Sequence, residues 1–244
     1  MFKKSVLLSS MAIALAAAAF VYIIIISSDH TGAVSAVAAP VSTPKLIIDA
    51  GHGGIDGGAV SANGTRESEI NLEIALKLDQ IIGFLGQSSI MTRTSEDIDY
   101  SDGANTVREK KVEDQKNRVA LINGTDNACL ISIHQNQYTS GGPFGAEALY
   151  APTEHSKEMA ECMQALLKQN IDPTSRRVAT RIPASIYLMN NIHCPAVMVE
   201  CGFLSNTKEE ALLRTRDYQL KLAAVIAAGY FMSTNGDTGG TNES

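Results

Sequence analysis

The chain has 244 residues, 19 % of them charged, a formal net charge of −6 and no tryptophan. An acidic balance with no Lys/Arg-rich face excludes nucleic acid as a partner. The absence of indole removes one common stacking platform for sugars and bases. With roughly 40 N-terminal residues set aside, what remains suits one domain with a sizeable core.

The N-terminus opens with Lys3 and Lys4 ahead of an almost wholly apolar run from Ser5 to Ile26. At about 1.5 Å per residue such a helix crosses a bilayer core of roughly 30 Å. Cleavable signal peptides carry a shorter apolar region, about 7–15 residues, and an Ala-x-Ala site, Ala36-Val37-Ala38, lies well past the apolar end. Residues 1–26 are therefore expected to be an uncleaved membrane signal anchor, with secretion the outcome if the signal is cleaved. Either outcome places the domain outside the cytoplasm, with the lysines inside. Residues 27–44, rich in Ser, Ala, Gly, Thr and Pro, read as a flexible tether. Residues 233–244 read as a disordered tail, leaving 45–232 as the folded domain.

Within that domain, strand and helix signals alternate. A strand at 45–49 leads into a Gly-rich loop. A helix over 68–85 carries Ile70, Ile74, Leu78, Ile81, Ile82 and Leu85 at spacings of three and four. A short strand at 88–92 and a polar loop over 94–108 follow. A helix at 109–122 is expected to turn Val112, Val119 and Ile122 inward. Then come strands at 128–133 and 145–150, a helix at 155–169, strands at 186–189 and 196–199, and helices over 207–232. Such alternation predicts an α/β fold with a largely parallel sheet. Cys129, Cys162, Cys194 and Cys201 have no CxxC spacing; Cys129 and Cys201 read as small core residues, and no structural disulfide is expected.

Three strand-like runs finish beside residues that can bind a metal or move a proton. Leu46-Ile47-Ile48-Asp49 runs into Ala50-Gly51-His52-Gly53-Gly54. Cys129 to Ile133 runs into His134, and Ala196 to Val199 runs into Glu200. Open α/β sheets place their sites just outside the carboxyl ends of the strands. Of five histidines, His30 falls in the tether, His155 opens a helix among polar neighbours, and His193 precedes its strand. His52 and His134 remain as candidate ligands. A zinc site of the catalytic kind takes three protein ligands and leaves a position open; the third here is a carboxylate among Asp49, Asp56, Glu67 and Glu69. Asp49 alternatively orients His52 or holds the loop, and Glu67 alternatively serves the helix dipole. The glycines around His52 fail the dinucleotide fingerprint at Asp56, and no Walker-type Gly-Lys-Ser/Thr follows. Glu200, at the end of an apolar run, suits a proton carrier.

Taken together, Asp49 to Gly54 (DAGHGG), Glu67 four residues before Asn71-Leu72, Ser132 to Asn136 (SIHQN) and Pro195 to Asn206 (PAVMVECGFLSN) resemble the zinc-dependent N-acetylmuramoyl-L-alanine amidases of the amidase-3 family. The resemblance covers residues 45–232. It implies a three-layer α/β sandwich on a mostly parallel six-stranded sheet, Zn²⁺ held by His52, Glu67 and His134, and Glu200 as the catalytic residue. Arg108 to Asn123 and Ile186 to Asn191 are similar to the family's spore-cortex branch. That branch implies peptidoglycan glycan strands with stem peptides as substrate, a role in forming muramic-δ-lactam in the spore cortex, and a location on the cortex side of a forespore membrane. Whether a regulatory protein binds is not legible. Gln135, where many members carry a smaller residue, is expected to narrow the groove. Arg93 and Arg118 are expected to brace the fold rather than bind the anionic wall. The alternatives are a membrane-anchored peptidoglycan-binding protein without activity and a zinc peptidase acting on the stem peptide.

Overall fold

Alternate residues along the central strands belong to two different cores, and this divides the molecule into three layers. The structure is a computed structural model describing residues 43–139 and 143–235. The elements are β1 (Lys45–Ala50), α1 (Glu67–Phe84), β2 (Ser89–Met91), α2 (Val107–Asn123), β3 (Ala128–Asn136), β4 (Glu147–Tyr150), α3 (Ser156–Asn170), β5 (Thr180–Arg181), α4 (Tyr187–Asn190), β6 (Ala196–Phe203), α5 (Thr207–Leu213) and α6 (Arg216–Asn235). The six strands lie in the order β2-β1-β3-β6-β4-β5. Only the β4–β6 pairing is antiparallel. The expected anchor over 1–26, and the tether over 27–44 apart from Thr43 and Pro44, lie outside the described residues, as does the tail beyond 235. Among the described residues no helix is long and apolar enough to cross a membrane.

On one face, Leu46, Ile48, Ile131, Ile133, Val197 and Val199 pack with α1, α3 and α6 into the larger core. Helix α6 is buried almost throughout from Leu222 to Phe231, as expected of a helix apolar all round. Burying each such Leu, Ile or Val contributes on the order of 1.5–3 kcal/mol. The Tyr230 hydroxyl donates to the Pro44 carbonyl at 2.7 Å, tying the end of α6 to the start of β1. On the other face, Ile47, Leu130, Ala196 and Met198 pack with Ile122 of α2 and with Leu188 and Met189 of α4 into a smaller core. This second core covers only the part of the sheet nearer the strand starts. Beyond it, the same pleat face carries Asp49, Ser132, His134 and Glu200.

Four sequence expectations are corrected. The run 186–189 is helical, not a strand. Pro183 accepts from Ile186 N, and the Asn190 amide donates back to the Pro183 and Ile186 carbonyls, closing a turn over the apolar residues. The sixth strand is instead the two-residue β5. Helix α2 starts two residues early because Thr106 and Glu109 form a capping box; its Val112 faces solvent, while Ile122 is buried. Helix α6 runs on to Asn235, beyond the expected limit at 232. All four cysteines are free, with Cys129 and Cys201 buried.

Candidate metal and catalytic site

Strands β3 and β6 run further than the sequence suggests, so His134 and Glu200 sit on the sheet rather than past its edge. They are paired in register, and a bulge separates that pair from Asn136 and Phe203. Glu147 of β4 pairs with Glu200 from the other side. Since paired residues share a face, His134, Glu200 and Glu147 form a transverse row across three strands.

Glu67, the first residue of α1, reaches this row from the helix start. It is 3 % exposed. One carboxylate oxygen, Oε2, accepts from Ala59 N at 2.8 Å. The other, Oε1, accepts from His134 Nδ1 at 2.9 Å and Gln135 N at 3.1 Å and lies 3.3 Å from His52 Nε2. Burial opposes its charge, but the imidazoles of His134 and His52 hold its pKa far below the usual carboxylate range.

His52 follows β1 in a left-handed backbone conformation, φ 61°, at a cost on the order of 1–2 kcal/mol for a non-glycine residue. Its carbonyl accepts from Arg118 Nη2 at 2.6 Å, and its ring Nδ1 donates to Asp56 Oδ2 at 2.9 Å. Burial lowers its pKa, but the bonds to Asp56 and Glu67 outweigh this and raise it to about 9. The close approach of loop and ligands requires glycine at two positions. A Cβ on Gly51 would collide with the His134 imidazole, and one on Gly58, at φ +65°, would lie 2.5 Å from Glu67 Oε2.

Behind these groups stands a buried polar brace. Asp49 accepts from Ser132 Oγ, Thr92 Oγ1 and Arg118 Nη1 at 2.6, 2.8 and 2.7 Å. Burial pushes its pKa up, yet Arg118, the nearby His134 and the Ser132 hydroxyl bring it down to about 2. Arg93 donates to the carbonyls of Ala50, Gly51 and Ser68. Both arginines thus hold the loop, as expected, and Asp49 belongs to the brace. Gln135 does not narrow the groove. It is 4 % exposed and its amide donates to Asn71 Oδ1, inside the fold.

The arrangement brings one ligand atom from each of His52, Glu67 and His134 within 4.8 Å of one another. Two imidazole nitrogens and a carboxylate oxygen are a donor set that zinc takes in catalytic sites. Glu200 Oε2 is buried with no hydrogen-bond partner, an orphaned acceptor of the kind a cation or substrate proton satisfies. Burial raises the Glu200 pKa to about 7, with Glu67 and Glu147 adding to the rise and His134 opposing it. Of the remaining carboxylate candidates, Glu69 is exposed on α1 and Asp56 bonds His52 from the side away from Glu67. On sequence Asp56 reads as a candidate ligand; its position four residues after His52 in a Gly-rich loop is the signal for its role as a partner. Glu147 went unnoticed because an antiparallel neighbour of β6 is not encoded locally.

An α/β sandwich with a donor set that could hold a metal ion, and a carboxylate beside it with one buried, unpartnered oxygen, is an arrangement suited to hydrolysis. The family model described as N-acetylmuramoyl-L-alanine amidase (Amidase_3) matches residues 46–230, and the chain belongs to that family. It is 37 % identical over 191 residues to the germination-specific N-acetylmuramoyl-L-alanine amidase of Bacillus subtilis (strain 168), covering 78 % of this chain and 79 % of that protein. It is 31 % identical to the N-acetylmuramoyl-L-alanine amidase LytC of the same organism, over 78 % of this chain and 35 % of that longer protein. The structure of the CwlD amidase from Clostridioides difficile, solved in complex with the GerS lipoprotein, superposes with a TM-score of 0.76 at 38 % identity, covering 80 % of this chain and all of that one.

Proposed function

We propose that this chain is a zinc-dependent N-acetylmuramoyl-L-alanine amidase that hydrolyses the amide between the lactyl carbonyl of muramic acid and L-alanine in peptidoglycan. The observation that carries this reading is the convergence of His52, Glu67 and His134 beside the orphaned oxygen of Glu200. Zinc, when bound by those three residues, supplies a Lewis acid that polarises the carbonyl and makes water a better nucleophile near neutral pH. Glu200 moves the proton. Its ionised carboxylate takes one from the attacking water as oxygen adds to the carbonyl carbon. It then delivers that proton to the alanine nitrogen as the C–N bond breaks. Burial of the Glu200 carboxylate, which raises its pKa above the usual carboxylate range, favours its carrying a proton between the two halves of this exchange. The products are a muramic carboxylate and a peptide with a free L-alanine amino terminus.

The similarity to a germination-specific amidase and to a sporulation-specific one supports a role in spore cortex, upstream of muramic-δ-lactam formation, and an extracytoplasmic location. The apolar run from Ser5 to Ile26 supports anchoring to a membrane. The CwlD relative's complex with a lipoprotein supports a lipoprotein partner here as well. The test is purified, zinc-loaded protein given peptidoglycan fragments, with products identified by mass. Free L-alanine termini and unsubstituted muramic acid are expected, and a chelator should abolish them. Cleavage within the stem peptide, or cleavage indifferent to chelator, would overturn the reading.

A further inference from the structure

Helix α2 touches the site through one face. Lys111, Asp114 and Arg118 lie at spacings of three and four, on successive turns. Arg118 holds the His52 carbonyl and is itself held by Asp114 through Nε at 3.0 Å. Lys111 Nζ lies 2.8 Å from Asp56 Oδ1, and the other Asp56 oxygen accepts the hydrogen bond of His52 Nδ1. Asp56 is fixed from its backbone too. Its N–H and carbonyl pair with Gly53 at 2.9 and 2.7 Å, and its Oδ1 accepts from Gly58 N at 3.2 Å. Helix α2 therefore grips His52 twice, at the carbonyl through Arg118 and at the ring through Lys111 and Asp56.

We infer that Asp56 and Lys111 are positioning residues for His52: Asp56 fixes the ring tautomer and orientation that leave Nε2 facing Glu67, and Lys111 holds Asp56 in place from α2. A carboxylate on the far nitrogen of a ligating histidine both orients the ring and raises its basicity, and losing it typically costs about 10- to 100-fold in metal affinity. Lys111 is the outermost link. Its side chain is 45 % exposed, against 3 % for Arg118, so its removal disturbs the ring's support without opening the buried brace.

This inference rests on the zinc reading above, and the experiment separates the two. Zinc affinity is measured by competition with a chromophoric chelator for the wild type, Asp56→Asn, Lys111→Met and Lys111→Arg. Asp56→Asn is expected to weaken zinc binding about 10- to 100-fold and Lys111→Met less, with Lys111→Arg restoring most of the affinity. Thermal unfolding of the chelator-treated Lys111→Met protein should match wild type, and saturating zinc should recover its cleavage. If the wild type binds no zinc, the metal reading itself falls. If the wild type binds zinc and Asp56→Asn and Lys111→Met bind it equally well, the positioning role falls. Lost affinity that Lys111→Arg does not restore would overturn the part assigned to Lys111.

Discussion

His134 and Glu200 face each other in register across β3 and β6, one bonded to Glu67, the other with a buried oxygen that no protein group satisfies. The sheet itself therefore separates the two groups: β3 carries the imidazole bonded to Glu67, and β6 keeps a carboxylate beside the His52, Glu67 and His134 group without joining it.

Glu200→Gln preserves shape and removes the proton carrier. Muramoyl-peptide cleavage is expected to fall about 10²- to 10⁴-fold, while zinc content by elemental analysis and the unfolding temperature stay near wild type. Retained cleavage would remove Glu200 from the chemistry.

Gly51→Ala tests the packing of loop against ligand. The added methyl would meet the His134 imidazole, so the ring that bonds Glu67 must shift to admit it. The variant is expected to fold, judged by circular dichroism, and to lose zinc affinity by at least about tenfold, comparable to losing support for a ligand. A variant that binds zinc normally would show that the ring has room to move.

Arg118→Met leaves Asp49 buried without its cation. Removing one partner of a buried ion pair costs about 3–5 kcal/mol, so the unfolding midpoint in urea should drop sharply. Asp49→Asn in the Arg118→Met background should recover part of the loss, since the stranded charge is then gone. No recovery would mean that the guanidinium matters for its bonds to the Ala50 and His52 carbonyls rather than for its charge.

Acid should weaken the same brace. The folded pKa of Asp49, about 2, lies below its ordinary value of 3.8, so the folded state favours the ionised form. That contribution is fully present above 3.8 and lost as pH falls through about 2. The difference is about 2 kcal/mol. Stability measured by urea titration between pH 5 and 2 should fall by that much more in wild type than in Asp49→Asn. Equal slopes would contradict the shift.

How far the sequence carries depends on whether a feature is local. His52, His134 and Glu200 were legible because each follows a continuous apolar run, and a buried strand leaves its mark in consecutive residues. Glu67 was ambiguous on its residues alone, since a first-turn acid serves a helix dipole as readily as a metal, and the family resemblance pointed to it. The tie from Arg118 to Asp49, the pairing of Glu147 with Glu200, and the reach of Lys111 to Asp56 join residues far apart in the chain, and no periodicity announces them. The run 186–189 misled for a related reason. Four apolar-rich residues fit a strand or a helical turn equally well, and the deciding bonds came from Asn190 and Pro183.

The hydrogen bond from Tyr230 to Pro44 has a consequence for reach. It brings the two ends of the described fold together where β1 begins, and β1 carries the chain about 20 Å before the ligand loop starts. The chain therefore enters the described fold at the base of the sheet, so a load applied there bears on the end away from His52 and leaves the edge that carries His134 and Glu200 open.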